Sequence, residues 1–470
     1  MIPVVTPEQM RAADAAALRS LQGGDDSVFI RRAGHATAEA ARRMMGGAYG
    51  RRVVVVAGKG NNGNDGRVAA GHLRGWGAGV RIVDADAAHG EFVDRRTADL
   101  VIDAAYGIGF RGTWSPPVVF DVPVLAVDIP SGLDALTGTV AGGVLVADRT
   151  VTFAALKSGM VLNDGPSVCG EIDIVDVGID VVPGIDCDAW VVQADDVRRW
   201  VPPRDRQAHK WSHAVRVVAG SPGMTGAASL VSAAAMRAGA GIVHLSARGD
   251  VAPAQFPTEV VAHRLPDNGW VDHVAADARR FASLVIGPGL GRGDDVALEV
   301  REILAGTDLP AVVDGDGIVE SVDPRGSYGV LSARTAPTVL TPHDGEFAAI
   351  GGDRDDPDRI AATRELAVKS GCTVLRKGPT TVVAPPDGGP VYLVVSGDER
   401  LATAGSGDVL AGVIGALLAR GLAPAEAAAA GAFVHGMAGS SLAPEGAIAR
   451  DIVSVLSDVM SELLTGGVGP

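Results

Sequence analysis

Cysteine is scarce in this chain of 470 residues: three in all, Cys169, Cys187 and Cys372, without the spacing of metal ligands. A cysteine metal site is therefore excluded, and a reduced, cytoplasmic setting fits best. Positive charge is also in short supply. Lys and Arg number 41 against 56 Asp and Glu, a net charge of -15, which argues against nucleic acid or an anionic membrane as the main partner. No apolar run is long enough to cross a bilayer. The opening Met1-Ile-Pro-Val-Val-Thr-Pro-Glu-Gln-Met10 lacks a basic segment followed by an apolar one, so no signal peptide is expected. Walker motifs and internal repeats are missing too.

What is present is an α/β pattern. Hydrophobic residues make up 47% and charged residues 21%, and strand-like apolar runs alternate with Ala-rich helical stretches. Length alone predicts about three domains. A segment from Val182 to Arg206, rich in proline and charge and without a sustained period, reads as a connection, which places a boundary near residue 205.

In the first half, Thr6-Pro7-Glu8-Gln9 starts a helix with a capping box, and a second helix is expected from about Asp26 to Met45. Arg52-Val-Val-Val-Val-Ala57 reads as a buried parallel strand. It runs into a Gly58-Lys-Gly-Asn-Asn-Gly-Asn-Asp-Gly66 loop, with a helix expected from about Arg67 to Trp76. Asn61, Asn62, Asn64 and Asp65 are more hydrogen-bonding groups than a turn requires, which favours ligand or cation contacts. Strands at Leu100-Val-Ile-Asp103 and Val122-Pro-Val-Leu-Ala-Val127 also end in polar, glycine-containing loops. In a parallel sheet such loops share one edge, so Asp103, Asp128 and Ser131 can converge on the Asn-rich loop. A single Asp at such a place is more often a cap or turn residue; three loops from three strands weaken that reading.

Asn61-Asn-Gly-Asn-Asp-Gly66, Asp103 with Gly107-Ile-Gly-Phe-Arg-Gly112, Asp128-Ile-Pro-Ser-Gly132 and Lys157 together resemble the NAD(P)H-hydrate epimerase family over about residues 5 to 180. The resemblance implies that Asn62, Asp103 and Ser131 help hold a potassium ion. It implies that Asn61, Asn62, Gly63, Asn64 and Asp65, then Gly107, Ile108, Gly109, Phe110, Arg111, Gly112 and Thr113, with Lys157 and Asp128, contact the hydrated nicotinamide nucleotide. Asp128 is the implied proton-transfer residue. Asn64 departs from the family, which usually has Gly there.

The second half opens with a strand at 214–219 and an Ala-rich helix to about Arg237, whose alanines suggest close helix–sheet packing. Glycine loops or polar turns follow the strands at 283–286, 310–314, 338–341 and 372–376. His343 lies in such a loop and shares its edge with the others, which favours ligand contact over a solvated or capping role. Lys377 begins a turn after a buried strand, where it reads equally as a phosphate ligand or a flexible surface lysine. Near the C-terminus, Leu401-Ala-Thr-Ala-Gly-Ser-Gly-Asp-Val-Leu-Ala-Gly412 places Gly405 and Gly407 around Ser406 before a buried helix expected to begin near Gly407. Its free N–H groups and helix dipole suit a phosphate. Asp408 is then either a dipole partner or a general base.

Gly287-Pro-Gly-Leu-Gly291, Leu340-Thr-Pro-His-Asp-Gly-Glu346, Lys377-Gly-Pro-Thr-Thr381 and Ala404-Gly-Ser-Gly-Asp408 look like the ribokinase-like NAD(P)H-hydrate dehydratases over about 205 to 465. By that resemblance Lys377, Gly378, Pro379, Thr380, Thr381 and Gly407 bind the adenine nucleotide, Ala227, Gly289 and His343 contact the hydrate, and Asp408 is the catalytic base. The N–H groups from Gly405 through Ser406 to Asp408 would stabilise the transferring phosphate. Trp211, His213 and the 397–400 turn depart from the family pattern.

Together the resemblances imply an N-terminal Rossmann-like three-layer sandwich, residues 1–205, and a C-terminal ribokinase-like one, residues 206–470. They imply epimerisation of the hydrates of NADH and NADPH (NADHX and NADPHX), then dehydration of the S form at the expense of ADP, with Mg2+ and K+ as cofactors. A homo-oligomer is expected. The rival readings are a ribokinase-like small-molecule kinase fused to a non-catalytic nucleotide-binding module, or domains kept only as structural remnants.

Overall fold

The computed structural model describes residues 1–21, 25, 27–182, 187–250, 256–323 and 325–466. The chain forms two compact units, Ile2–Ala189 and Trp190–Pro470 joined by Met1. The division falls earlier than the boundary expected near 205. Part of the expected connection is ordered structure of the second unit: helix α4, Ala194–Trp200, packs against two later helices, and Val197 and Val201 enter that unit's core. Residues 183–186 of the expected connection lie outside the described residues.

The first unit carries helices α1 (Pro7–Ser20), α2 (Ser27–Met44) and α3 (Asn61–Gly75). Its strands are β1 (Arg52–Ala57), β2 (Gly79–Asp84), β3 (Leu100–Ala104), β4 (Val124–Val127), β5 (Arg149–Phe153) and β6 (Glu171–Val175). They form one sheet in the order β6-β5-β4-β3-β1-β2, every pairing parallel. Both faces of β1 are covered: Val53, Val55 and Ala57 enter one core, Val54 and Val56 the other. The capping box at Thr6 and Gln9 forms as expected, whereas Asp26, the expected start of α2, lies outside the described residues. Helices α2 and α3 pack so closely that a Cβ on Gly34 would stand 2.5 Å from Val68.

The Asn-rich stretch is not a loop. Helix α3 begins at Asn61, not Arg67, and only 58–60 link it to β1. The glycines at 63 and 66 that suggested a loop serve packing instead. A Cβ on Gly63 would meet the Gly58 carbonyl at 1.9 Å, and one on Gly66 would meet Ala104 at 2.5 Å. That proximity seats the first turn of α3 against the ends of β1 and β3.

In the second unit, β7 (Ala214–Val218), β8 (Ile242–Arg248), β9 (Val261–Leu265), β10 (Ser283–Ile286), β11 (Ala311–Val313), β12 (Thr338–Leu340) and β13 (Thr373–Arg376) run parallel in the order β9-β8-β7-β10-β11-β12-β13. Two antiparallel strands follow, β14 (Thr381–Ala384) and β15 (Val391–Val394). The helices that position the site are α5 (Thr225–Arg237), α6 (Asp344–Ala349), α7 (Ser406–Ala419), α8 (Pro424–Ser440) and α9 (Ala449–Thr465). Helix α7 is buried from Val409 to Ala419. Gly412 brings it onto α5, where a Cβ would meet the Val231 carbonyl at 2.2 Å. No helix among the described residues is long and apolar enough to cross a membrane.

Candidate active sites

In the first unit the carboxyl ends of the strands open into one cavity of about 1180 Å³. Asn61, Asn62, Asp65, Gly107, Ile108, Gly109, Phe110, Arg111, Thr113, Asp128 and Lys157 all line it. Gly63, Asn64 and Gly112 are not among the lining residues. Asn64 instead continues the helix by donating to the Gly60 carbonyl at 3.0 Å.

Asp128 leaves the end of β4 in the left-handed region, φ 66°, a conformation uncommon outside glycine but one that Asp tolerates better than most residues. Lys157 fixes its side chain. Only 1% exposed, it donates to Asp128 Oδ1 at 2.5 Å, Thr152 Oγ1 at 2.8 Å and the Phe153 carbonyl at 3.0 Å. All three ammonium donors are thus used, and the ion pair faces the cavity.

Asp103 and Ser131 lie beneath this floor, both fully buried. Ser131 Oγ donates to Asp103 Oδ1 at 2.6 Å and its N–H to Oδ2 at 2.8 Å. Burial pushes the Asp103 carboxyl up to about 6, against the lowering effect of those bonds. Asn62, 8% exposed, has neither amide atom hydrogen-bonded within the protein. A buried amide left open in this way is costly, and a ligand, ion or water satisfies it. Asp65 resembles it, with Oδ1 buried and unpaired. Burial, then the Asp128 charge, pushes its carboxyl up to about 8.

The cavity also includes residues that sequence reasoning missed, among them Met10, Arg11 and Asp14 from α1, Phe29 and Ile30 from α2, and Lys59, Asp86 and Tyr106. A carboxylate on α1 gives no pattern in sequence that ties it to a site more than a hundred residues away.

The second site gathers around Lys377, just after β13. Its ammonium lies 3.0 Å from Asp314 Oδ1 and 3.7 Å from Glu346 Oε2. Burial alone would lower this lysine, but Asp314, Glu346 and Asp408 outweigh burial and raise it. Asp314 also accepts from Thr341 Oγ1 at 2.6 Å. His343 caps α6: its Nδ1 accepts from the N–H groups of Gly345 and Glu346 at 3.0 and 3.2 Å. The capping role set aside in sequence is therefore real, and the other face of the ring stays exposed.

The first turn of α7 completes the site. Gly405 caps the helix at φ 89°, and Ser406 Oγ donates to the Leu401 carbonyl at 2.8 Å. The helix begins at Ser406, one residue before the expected start. Helix geometry leaves the Gly407 and Asp408 N–H groups without partners in the turn. Room for an anion comes from the missing side chain of Gly407, since a Cβ there would stand 3.4 Å from the Lys377 ammonium. Burial, then Asp314, pushes the Asp408 carboxyl up to about 7, with Lys377 opposing. Beneath the loop, His435 of α8 is buried and pushed down to about 4, with the Ser406 backbone as partner; an Ala-rich helix gave no sign of it.

Ala227 and Gly289 are neighbours: a Cβ on Gly289 would stand 2.9 Å from that of Ala227. The same glycine loop touches the Lys377 cluster, because a Cβ on Gly287 would meet the Asp314 carbonyl at 1.9 Å. In the turn after Lys377, Gly378 and Pro379 are exposed, Thr381 is half-buried and Thr380 is buried. The family departures make contacts of their own. Trp211 stacks under Arg280 at 4.0 Å, His213 contacts the Ala419 carbonyl at 3.2 Å, and Arg400 is tied to the Ser440 and Leu442 carbonyls.

A family model described as NAD(P)H-hydrate dehydratase matches residues 215–460, and one described as YjeF-related protein N-terminus matches 26–91 and 83–159. The chain is similar to the bifunctional NAD(P)H-hydrate repair enzyme Nnr of Mycobacterium leprae (strain TN), 40% identical over 461 residues that cover 91% of this chain and 92% of that one. This chain belongs to the bifunctional NAD(P)H-hydrate repair enzymes. Among solved structures, this repair-family member is similar to the ADP/ATP-dependent NAD(P)H-hydrate dehydratase from Bacillus subtilis co-crystallised with ATP/Mg2+, with TM-score 0.51 and 29% identity over 58% of this chain and 97% of that one. A ribokinase-like superfamily protein from Enterococcus faecalis V583 shares the fold, with TM-score 0.51 and 21% identity over 58% and 95% of the two chains. The α/β class and the ribokinase-like architecture of the repair enzyme's C-terminal unit agree with the expectation from sequence.

Proposed function

We propose that this chain restores hydrated NADH and NADPH: the N-terminal unit interconverts the R and S hydrates, and the C-terminal unit dehydrates the S form at the expense of ADP. The observation that carries the reading is Asp408, a carboxylate raised to about 7 at the open, glycine-capped start of α7, beside Lys377. A base poised near neutrality next to an anion-binding helix end suits proton removal from a hydroxyl during phosphoryl transfer.

Hydroxide is a poor leaving group, and phosphorylation changes that. Asp408 takes the proton of the hydrate's hydroxyl, whose oxygen attacks the terminal phosphorus of ADP. The bond from phosphorus to the bridging oxygen breaks and AMP leaves. The Gly407 and Asp408 N–H groups and Lys377 stabilise charge on the transferring phosphoryl group. The C–O bond then breaks, pushed by the ring nitrogen, a ring proton is lost, and phosphate and the reduced nicotinamide remain. Asp314 and Glu346, the carboxylates nearest Lys377, are the hard oxygen donors that would hold the nucleotide's Mg2+, which supplies charge neutralisation when bound.

In the first unit, Asp128, held by Lys157, is the proton-transfer residue at the hydrated carbon. Asn62, whose amide makes no hydrogen bond within the protein, and the buried Asp103 and Ser131 are the residues that would hold potassium, an ion that would supply a fixed positive charge when bound. The three cysteines are all buried and none is joined in a disulfide, which supports a reduced, cytoplasmic setting. Exposed Phe92, Val118 and Phe120 share one face of a small parallel strand pair and support a homo-oligomer, which sedimentation would test.

The test is recovery of reduced-nicotinamide absorbance from a mixed-epimer hydrate with ADP, ATP or no nucleotide. Full ADP-dependent recovery is expected, abolished by Asp408→Ala and halted near the one-epimer fraction by Asp128→Ala. A phosphorylated product that accumulates without recovery would overturn the dehydratase assignment.

A further inference from the structure

The reaction as described uses only part of the first unit's cavity. Its floor runs along the strand ends in the sheet order β4-β3-β1-β2. Asp128 follows β4, the first turn of α3 follows β1, and Asp86 lies two residues past the end of β2. Three steps at the usual strand spacing of ~4.8 Å separate β4 from β2, roughly 14 Å. A nicotinamide ring over Asp128 and a diphosphate over the start of α3 therefore bring the adenosine ribose to the end of β2. In a βαβ dinucleotide site, that is where an acidic residue meets the ribose hydroxyls.

Lys59, Asp86 and Tyr106 form that end of the cavity wall. Asp86 Oδ1 accepts from the Tyr106 hydroxyl at 3.1 Å, and Oδ2 pairs with Lys59 at 2.7 Å. Neither contact holds the fold together. The Lys59 and Asp86 side chains are 79% and 56% exposed, and an ion pair so open to water stabilises little. The local turn is capped by Asp84, which accepts from the Asp86 N–H at 2.9 Å. The Asp86 carboxylate thus has no structural task, remains charged and can exchange Lys59 for a ligand hydroxyl.

Building on the repair reading above, we propose that Asp86 is the specificity residue of the epimerase site. It accepts the adenosine 2′-hydroxyl of NADHX and disfavours the 2′-phosphate of NADPHX. Lys59 opposes that discrimination, being the cation beside it.

The experiment uses the full chain and two readouts. The first is epimerisation kcat/KM with each hydrate, for wild type, Asp86→Ala and Lys59→Ala, with Asp128→Ala as the control for the reading itself. The second, independent of turnover, is calorimetric affinity for ADP-ribose and its 2′-phosphorylated analogue, compared between wild type and Asp86→Ala so that nucleotide binding elsewhere cancels. Wild type is expected to favour NADHX, and Asp86→Ala to shrink that preference about tenfold, mainly through KM, as loss of a charged hydrogen bond implies. Lys59→Ala is expected to move the preference the other way. An unchanged ratio of affinities in Asp86→Ala overturns the proposal, even if epimerisation proceeds and depends on Asp128. Absence of epimerisation by wild type overturns the reading instead, while calorimetry still decides whether Asp86 selects the ribose.

Discussion

Each unit sets an aspartate and a largely buried lysine at the carboxyl edge of a parallel sheet, yet the two pairs are wired differently. In the first unit the lysine grips the aspartate directly: Lys157 donates to Asp128 at 2.5 Å with no donor left over. In the second, Lys377 is engaged by Asp314 and Glu346, and Asp408 feels it only from a distance. The first arrangement fixes a carboxylate in place. The second leaves its carboxylate short of counter-charge, so burial raises it toward neutrality, as the base proposed above requires. What a lysine does for a nearby aspartate depends on how many other carboxylates it already serves.

That contrast can be broken from either side. The largest effect is expected from Lys157→Met, which strands the left-handed Asp128 without its partner. Epimerisation should fall about a hundredfold or more, measured as the rate of R-to-S conversion, while dehydration of pure S hydrate persists. If epimerisation survived, the direct grip would have no chemical role. Lys377→Met should raise the KM for ADP about tenfold, the cost of one charged contact, and leave Asp314 and Glu346 repelling each other.

A pH profile sharpens the comparison. In the proposed mechanism the working form of Asp408 is the ionised one, and its carboxyl lies at about 7, so kcat/KM for dehydration should fall about tenfold per pH unit below that point and level off above it. A flat profile down to the ordinary carboxylate range would show that Asp408 is not the base. The smallest effect concerns Asp65. Its folded value, about 8, lies above the ordinary 3.8, so the proton is held more tightly in the folded state. Stability associated with that proton is full at low pH and is lost as pH rises through the folded value. Asp65→Asn should therefore raise the melting temperature by a few degrees at alkaline pH and by little in acid.

Much of this was legible in the sequence, for a physical reason. Continuous β-branched runs such as 52–56 admit few alternatives to a buried parallel strand, and glycines at strand ends marked the edge where both sites lie. The failures are equally physical. Gly63 and Gly66 looked like loop residues, but their missing side chains allow a helix to sit against strand ends. Helix α4 is under two turns long and too short to show a period, so its contribution to the second core passed for a connection. The Lys157–Asp128 pair, Asp14 on α1 and His435 under the glycine loop depend on tertiary proximity, which single residues do not announce. His343 shows a subtler limit, because capping and facing the site are compatible roles for one ring.

Gly412 carries a consequence for motion. By letting α7 rest backbone to backbone on α5, it removes the compressible layer of side chains that would let one helix slide over the other. The glycine-capped start of α7 is thereby a fixed anvil. Motion around that end is then left to less tightly packed segments, such as the turn after Lys377, where Gly378 and Pro379 stand exposed.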